Sequence, residues 1–319
     1  MNPWSLFWSH GHSTTFGDYF KQGYTGAVAD WWRSALDNLP GDSTVLEVGC
    51  GNCSLLPAMI DSKVRGRYIG VDIAKVQMSE VASQNLPGSG LEIILHSETR
   101  AEDIPEPDTS VDLAASVFGI EYSDLDQSLP EIFRLLKPGG RFAALLHHDN
   151  SVVTTMSRRA ISEYNDYDLE KVISALQTIS MERDRSPTVA ALKTNPRAEK
   201  SRNRINRMAQ KYLANTDLKT ANATMFEFMT QALKFFKMMN ADSAARGRFI
   251  ASLREEHKAS HERFGQMVSV ALNEKGIEDI KAKLDGLGFG DITSKVVYSN
   301  GNVLAWALSA AKSPAAVLH

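Results

Sequence analysis

Apolar positions between Ser43 and Asp149 fall into short runs separated by helix-like segments. The runs are rich in β-branched residues and predict five strands: Thr44–Val48, Arg67–Val71, Leu91–Leu95, Val111–Val117 and Arg141–His147. Helical segments are expected between them at Ser54–Ile60, Ala74–Ser83 and Leu125–Leu136. Pro138-Gly139-Gly140 is expected to end the last helix and turn the chain into the next strand. Strands that are apolar on both sides and alternate with helices predict an α/β fold with a doubly wound, mostly parallel sheet.

The pattern becomes helical after Asn150. Few strand signals occur before His261, and Pro187 and Pro196 divide this region into helical pieces. An apolar stripe with three- and four-residue spacing predicts the core of a helical subdomain: Met225, Phe228, Met229, Ala232, Phe235, Phe236 and Met239.

Sheet-like patterning returns near the end of the chain. A helix is predicted over Glu274–Leu287, with Asn273 as its cap and Gly288 as its stop. Two further strands, Ile292–Tyr298 and Val303–Leu308, flank an Asn-Gly turn, the strongest short hairpin signal. We therefore expect four regions: aromatic lid helices (1–40), a Rossmann-like core (41–150), a helical insertion (151–265), and a helix and hairpin that complete the sheet (266–319).

Composition and charge narrow the class of protein. The chain has 319 residues, 43% of them apolar, and a formal net charge of −3. Two cysteines are too few for a secreted disulfide framework, and neither a bilayer-spanning run nor a secretory signal is visible, so a cytoplasmic protein without membrane contact is expected.

The charges are unevenly distributed. Residues 151–265 contain 20 Lys and Arg against 13 Asp and Glu, a balance of +7, which leaves −10 for the rest. The densest basic stretch runs from Lys193 to Lys211 and is either a solvated helix face or a surface for an anionic ligand. Nucleic acid is not the expected partner, because the stretch lacks interleaved aromatic residues for base stacking.

A glycine loop directly follows the first strand, in Glu47-Val48-Gly49-Cys50-Gly51-Asn52-Cys53-Ser54. Glycines let the backbone turn sharply and let a ligand approach closely. A dinucleotide loop would have a glycine where Ser54 stands. The carboxylate of Glu47 repels phosphate and attracts an ammonium group, which favours a ligand that carries an amino acid over NAD.

A second acid, Asp72, ends the second strand 25 residues after Glu47. A carboxylate at that position of a βαβ unit accepts hydrogen bonds from ribose hydroxyls. The alternative is that Asp72 only caps a helix.

With these residues the sequence resembles the class I S-adenosylmethionine-dependent methyltransferases, of the type that acts on small molecules. The matching segments follow in the order of the family: Glu47-x-Gly49-x-Gly51, Val71-Asp72, Ala101–Pro105, Val111–Ser116 and Leu135–Arg141. The resemblance covers about Thr44 to Leu146 together with the terminal helix and hairpin. It implies a seven-stranded sheet with an antiparallel last strand and S-adenosylmethionine as methyl donor, with S-adenosylhomocysteine as product.

The resemblance also implies which residues hold the donor. Glu47, Gly49 and Gly51 would lie along the methionine part, Asp72 would hold the ribose, and Ala101 and Glu102 would meet the adenine. The predicted contacts further include Asn52, Ile73, Val117 and a tyrosine of an N-terminal lid, Tyr19 or Tyr24. Many members have a glycine in place of Cys53 and an acid in place of Arg100, so adenine recognition could fall to Glu102, to Asp103 or to backbone amides.

Candidate residues for the methyl acceptor lie beyond the fourth and fifth strands. A histidine, a tyrosine or a carboxylate there could take the acceptor's proton. Tyr122 and His148 are the predicted catalytic residues, with Glu121 and His147 as second choices, and each of them could instead only shape the loop. His10 and His12 are weaker candidates.

Other motifs receive a structural interpretation. Cys50 and Cys53 form a C-x-x-C whose redox or metal role is disfavoured, and no metal site is predicted. His257 and His261 share a helix face and are expected at the surface.

The predicted activity is methyl transfer from S-adenosylmethionine to an oxygen or nitrogen of a small, anionic acceptor. The alternatives are a peptide or protein methyltransferase, a NAD-dependent enzyme, and a non-catalytic binding protein whose basic helices dock a partner. A homodimer is also left open.

Overall fold

A computed structural model describes residues 2–16, 23–62, 64–84, 86–217 and 221–314 of the chain. It divides them into two compact units, one formed by residues 1–156 and 266–319 and the other by residues 157–265.

The first unit is built on a seven-stranded sheet. Its strands are β1 Thr44–Val48, β2 Arg67–Asp72, β3 Glu92–Ser97, β4 Val111–Val117, β5 Leu136–His147, β6 Phe289–Ser299 and β7 Asn302–Lys312. Their spatial order is β3-β2-β1-β4-β5-β7-β6. The pairs among β1 to β5 are parallel, whereas β7 runs antiparallel to both β5 and β6. This confirms the predicted doubly wound sheet with an antiparallel last strand.

Helices cover both faces of the sheet. In the first unit they are α1 Pro3–Ser9, α2 Ala27–Leu36, α3 Leu56–Asp61, α4 Glu80–Gln84, α5 Leu125–Leu135 and α12 Glu274–Gly286, with a 3-10 turn at Ile120–Tyr122. Apolar residues of α5 and α12 pack on one face of the sheet, and those of α2, α3 and α4 pack on the other. Because side chains of a strand alternate between faces, each central strand contributes to both cores.

The second helix of the core is much shorter than expected. The sequence predicts Ala74–Ser83, but only Glu80–Gln84 is helical. The backbone amides before it are bound by side chains: Val76 N donates to Ser97 Oγ (2.9 Å) and Gln77 N donates to Asn52 Oδ1 (3.2 Å). Such local bonds compete with a helix, and sequence periodicity does not reveal them.

The Pro-Gly-Gly segment also differs from the prediction. Helix α5 ends at Leu135, before the segment, and Pro138, Gly139 and Gly140 lie inside β5. The register of β5 on β4 shifts between Val111 and Leu113. The segment is therefore a bulge that carries a residue with positive φ, Gly139 at +80°.

The C-terminal predictions are confirmed. Asn273 Oδ1 accepts from Gly276 N (2.9 Å) at the start of α12, and Gly288 has a φ of +92° just after its end. Asn300 (φ +51°) and Gly301 (φ +78°) form the turn between β6 and β7. Two consecutive positive φ angles are what a two-residue hairpin turn requires.

The second unit is helical. It contains α7 Asp166–Arg185, α8 Val189–Lys193, α9 Pro196–Leu213, α10 Ala223–Leu233 and a 3-10 turn at Lys234–Met238, while α6 Val152–Glu163 and α11 Ser243–Ser269 cross its boundaries. Met225, Phe228 and Phe235 are fully buried, which confirms that the apolar stripe is core.

The basic stretch lies mainly along α9. Arg197 approaches Glu182 (3.6 Å) and Lys211 pairs with Asp168 (2.6 Å), while the side chains of both cations remain at least half exposed. Partly exposed pairs of this kind contribute little stability.

The surface assignment of His257 is wrong, and His261 is half-buried. His257 is 9% exposed, and its Nε2 lies 3.2 Å from Gln231 Oε1. Burial lowers the pKa of His257 to about 4. The ring of His261 stacks on Tyr164 at 4.1 Å. The two histidines share one helix face, as their i, i+4 spacing predicts. The sequence does not show that Gln231 and Tyr164 pack against this face.

No helix of the described segments combines the length and the apolar composition that a membrane span requires.

Candidate active site

The glycine loop joins β1 to α3 at the carboxyl edge of the sheet. Gly49 N and Cys50 N both donate to Val71 O, at 2.8 and 3.0 Å, which ties the loop to the end of β2. Gly49 has a φ of +68°, and a Cβ added to it would lie 2.6 Å from Gly119 Cα. Gly49 is therefore required both by its backbone conformation and by close contact with the loop after β4.

Glu47 holds this loop together from inside the protein. It is 1% exposed, and its carboxylate accepts from Ser54 Oγ (2.7 Å), Leu55 N (3.1 and 3.2 Å) and the Tyr68 hydroxyl (2.5 Å). Burial raises the pKa of Glu47 to about 7. Both oxygens bind protein donors, so Glu47 orders the loop.

Asp72 ends β2 beside the same loop. Its Oδ2 accepts from Gly51 N and its Oδ1 accepts from Ala74 N, each at 2.8 Å. Each oxygen retains capacity for a further hydrogen bond. Burial raises the pKa of Asp72 to about 6, against the opposing effect of the two amides.

Three buried acids thus lie at this edge of the sheet, since Glu121 follows β4. Burial raises the pKa of Glu121 to about 7. The ion pairs found among the described residues leave Glu47, Asp72 and Glu121 without a lysine or arginine partner. Uncompensated buried acids favour a ligand that brings positive charge.

Helix α1 packs on the glycine loop. The indole of Trp8 is 4% exposed, and a Cβ added to Gly51 would lie 2.3 Å from its Cζ2. Asn52 Nδ2 donates to Trp8 O and to His12 O, both at 2.9 Å. Asn52 is fully buried and its Oδ1 accepts from Gln77 N, so its side chain links the N-terminal segment to the residues before α4.

The predicted lid tyrosines are only partly described. Tyr19 lies outside the described residues. The hydroxyl of Tyr24 is 2.8 Å from Thr15 Oγ1, and its ring meets Phe16 edge to face. Phe16 in turn meets Phe118, in the loop after β4, at 5.6 Å, so the aromatic N-terminus contacts the carboxyl edge of the sheet.

The residues expected around adenine have different environments. Ile73 is 57% exposed directly after Asp72, and Val117 is buried at the end of β4. Glu102 Oε1 accepts from Asp124 N (2.9 Å) and pairs with Arg100 (3.3 Å). Arg100, which stands where many members of the family have an acid, is therefore paired with Glu102.

Tyr122 pairs with His147 at the carboxyl ends of β4 and β5. The Tyr122 hydroxyl is 3.0 Å from His147 Nε2, and Phe118 stacks on the His147 ring at 4.6 Å. Glu121 Oε1 accepts from His147 N (2.9 Å). Burial lowers the pKa of His147 to about 3, so its ring is neutral near pH 7.

His148 has different neighbours from Tyr122. Its ring stacks on Trp306 at 4.6 Å, and its Nδ1 accepts from Asn150 N (3.0 Å). That bond places the proton of the neutral ring on Nε2, so His148 has no free lone pair with which to act as a base. The structure therefore brings Tyr122 together with His147 and not with His148.

Several supporting residues were not found from the sequence. Tyr68 donates to Glu47, and Ser116 Oγ both donates to Val48 O (2.7 Å) and accepts from Ile120 N (2.9 Å). Both residues lie inside predicted strands that are otherwise apolar. The sequence does not show which group a single hydroxyl in such a strand will bind. Trp8 lies within residues 1–40, for which the sequence predicts only aromatic lid helices.

The two cysteines are buried and free of a disulfide. Burial raises the pKa of Cys50, and the neighbouring Cys53 raises it further. A thiol of raised pKa is a weak nucleophile, in keeping with a structural role.

We expect Gly119→Ala to destabilise the protein by about 2 kcal/mol, because its Cβ would lie 2.7 Å from Val48 O and 2.8 Å from Gly49 Cα. Gly247→Ala is the matched control. Gly247 lies within α11 with no atom within 4 Å of the added Cβ, and alanine there should stabilise by about 0.5–1 kcal/mol. Urea unfolding measures both, and equal effects would show that the contact between the two loops is not tight.

Comparison with known proteins shows similarity to methyltransferases. Residues 46–144 match a family described as a methyltransferase domain. An uncharacterized methyltransferase of Schizosaccharomyces pombe is 31% identical over 142 residues, which are 44% of this chain and 53% of that protein. A ubiquinone/menaquinone biosynthesis C-methyltransferase of Bartonella tribocorum is 43% identical over 103 residues, 32% of this chain and 40% of that protein.

A solved structure, the YcgJ protein of Bacillus subtilis, is 18% identical. It aligns over 91% of this chain and 99% of that one with a TM-score of 0.36, a likeness too distant to inform the site. The aligned part of the chain spans about half of the length of the yeast relative and less of the bacterial one. The matched segment contains the glycine loop, Asp72 and the strands that position them. Through this segment the chain is similar to methyltransferase domains, in agreement with the resemblance to the class I S-adenosylmethionine-dependent methyltransferases.

Proposed function

We propose that the protein binds S-adenosylmethionine and transfers its methyl group to an oxygen or nitrogen of a small-molecule acceptor. The observation that carries this proposal is the set of three buried acids, Glu47, Asp72 and Glu121, around a tight glycine loop. The donor brings a sulfonium and an ammonium group, which are the charges that such a site lacks. A phosphate-bearing dinucleotide would add negative charge, which argues against the NAD-dependent alternative.

The donor would be held mainly by backbone and by Asp72. The loop from Gly49 to Gly51 would lie along the methionine part, and the two oxygens of Asp72 would accept from the ribose hydroxyls. Ile73, Ala101, Glu102 and Val117 would surround the adenine. When bound, the donor supplies a methyl group already activated by the positive sulfur.

The chain's own side chains would then exclude water and orient the acceptor. Trp4 stacks on Trp8 at 6.4 Å and meets Tyr122 edge to face at 5.6 Å, so α1 connects the glycine loop with the residues after β4. Trp4 Nε1 donates to Gln266 Oε1 (2.8 Å), which fixes the indole. Aromatic faces also attract a sulfonium by cation–π interaction.

The charge of the helical insertion bears on the nature of the acceptor. The +7 balance of residues 151–265 favours an acceptor that carries a carboxylate or phosphate. Methylation of carbon is a second candidate, favoured by the bacterial relative that is named as a C-methyltransferase. A peptide or protein acceptor and a non-catalytic role remain competing hypotheses.

Calorimetry with purified protein tests the donor. We expect S-adenosylmethionine and S-adenosylhomocysteine to bind with dissociation constants in the range of about 1 μM–1 mM that is common for enzyme substrates, and NAD not to bind. Incubation with radiolabelled donor and a metabolite extract then identifies the product. Binding of neither sulfur compound would reject the proposal, and binding without any labelled product would favour the non-catalytic role.

A further inference from the structure

Two buried polar atoms beside the glycine loop lack a hydrogen-bond partner within the described part of the chain. They are Glu121 Oε2 and His147 Nδ1. Both residues are more than nine-tenths buried, Glu121 at 6% and His147 at 1% exposure. A buried polar group without a partner is destabilising, so a pair of them in one cluster points to a polar ligand that supplies what is missing.

The cluster lies where methyl transfer would occur. Glu121 is two residues from Gly119, which is in direct contact with Gly49 of the glycine loop. His147 ends β5, the strand next to β4. In open α/β sheets, ligands bind beyond these carboxyl ends of the strands.

Aromatic rings pack on His147 and Tyr122. Phe118 stacks on His147, and Trp4 meets Tyr122, whose hydroxyl binds the same histidine. A ligand that pairs with polar atoms in such a setting has a flat, apolar body and a small polar edge.

We propose that Glu121 is the proton acceptor of the reaction and that the methyl acceptor is a hydroxylated aromatic ring whose O–H donates to Glu121 Oε2. This inference rests on the proposed function and deepens it. Tyr122 and His147 are positioning residues, since the Tyr122 hydroxyl holds the imidazole and leaves His147 Nδ1 for a second polar atom of the ring.

The step balances without a further reactant. The bond between the methyl carbon and sulfur breaks, with its electron pair left on sulfur, as a bond forms between that carbon and the acceptor oxygen. The O–H proton passes to Glu121 Oε2 and then to water, which leaves the ether, S-adenosylhomocysteine and one proton.

Titration of the cluster agrees with this division of roles. Burial raises the pKa of Glu121 to about 7, which makes it a stronger base than an ordinary carboxylate and leaves it ionised above neutral pH. The other titratable groups that face it are Tyr122 on the same turn and His147 on β5. Burial raises the pKa of Tyr122 and lowers that of His147, so both are neutral at pH 8 and neither competes for the proton.

The test compares wild type with Glu121→Gln and Glu121→Asp, and uses Glu278→Gln, an exposed acid on α12, as the matched control. Calorimetry with S-adenosylhomocysteine comes first. Phenol and 1,4-dihydroxybenzene then serve as probes, and 1,4-dimethoxybenzene is the analogue without a hydroxyl group. Saturation-transfer NMR measures probe binding in the presence of S-adenosylhomocysteine, and S-adenosylhomocysteine release from S-adenosylmethionine measures turnover from pH 5.5 to 9.

We expect the two phenols, but not the dimethoxy compound, to bind and to react in wild type, with a rate that rises through a pH of about 7. Glu121→Gln should still bind S-adenosylhomocysteine measurably, lower kcat by about 100-fold or more, and lose the pH dependence. Glu121→Asp should restore part of the rate, and Glu278→Gln should match wild type.

Three outcomes would overturn the inference. They are an unchanged kcat in Glu121→Gln, a retained pH profile in that variant, and failure of wild type to bind either phenol. If S-adenosylhomocysteine binds wild type in any of these cases, only the inference fails. If it does not bind, the proposed function fails as well.

Discussion

Replacing Asp72 by alanine is expected to weaken S-adenosylhomocysteine binding by about 100-fold or more. Two hydrogen bonds from ribose hydroxyls to a charged carboxylate contribute about 1.5 kcal/mol or more each, and 1.4 kcal/mol corresponds to a factor of ten. The variant also releases Gly51 N, which Asp72 holds at 2.8 Å, so the loop loses an anchor. Calorimetry measures the affinity.

The folding free energy should change much less in Asp72→Ala. Loss of the acceptor for two amides destabilises the protein, but removal of a buried carboxylate whose pKa is raised to about 6 relieves an unfavourable charge. These effects oppose each other near pH 8. Urea unfolding of the same preparation separates folding from binding.

Asp112→Ala is the matched control for Asp72. Asp112 also accepts from a backbone amide, Thr44 N at 2.8 Å, and it pairs with Lys137 at 2.7 Å. It lies near the amino-terminal end of β4, opposite the edge that carries Asp72. We expect this variant to lose about 1–2 kcal/mol of stability and to keep its affinity for S-adenosylhomocysteine. Equal losses of affinity in both variants would contradict the ribose assignment.

Glu121→Gln is expected to stabilise the protein by about 3 kcal/mol at pH 8 and by less than about 1 kcal/mol at pH 5. The pKa of Glu121 rises from 4.5 to about 7 on folding because the carboxyl group is buried. The native state therefore binds the proton more tightly than the unfolded chain. The stability that protonated Glu121 gives to wild type is complete below pH 4.5 and is lost as the pH rises through about 7, so the advantage of glutamine grows over this range. A difference of one pKa unit corresponds to about 1.36 kcal/mol.

Urea unfolding of wild type and Glu121→Gln at both pH values measures this effect. The difference between the two proteins is needed because other groups titrate in the same range. Folding lowers the pKa of His147 to about 3 and that of His257 to about 4, which removes stability from wild type as the pH falls below 6.5. A difference independent of pH would mean that Glu121 is not buried as a titrating acid.

Sequence patterns predicted the elements that repeat along the chain. β1 and β4 have the predicted bounds, and the cap at Asn273 and the turn at Asn300-Gly301 occur where short local signals placed them. The prediction was wrong over Ala74–Ser83 and at Pro138–Gly140. In the first case the side chains of Asn52 and Ser97 accept hydrogen bonds from the backbone amides of Gln77 and Val76. In the second case the segment forms a bulge within β5. Both depend on contacts between distant parts of the chain.

The sequence by itself determined the fold class, the glycine loop, and the acid at the end of β2, because these depend on residue periodicity and on local backbone conformation. Only the tertiary structure decided which partner each side chain binds. It bound Glu47 to Tyr68, turned His148 onto Trp306, and joined Tyr122 to His147. The physical reason is that hydrogen bonding and burial are set by neighbours far apart in the chain, and adjacent residues such as His147 and His148 point to opposite faces of a strand.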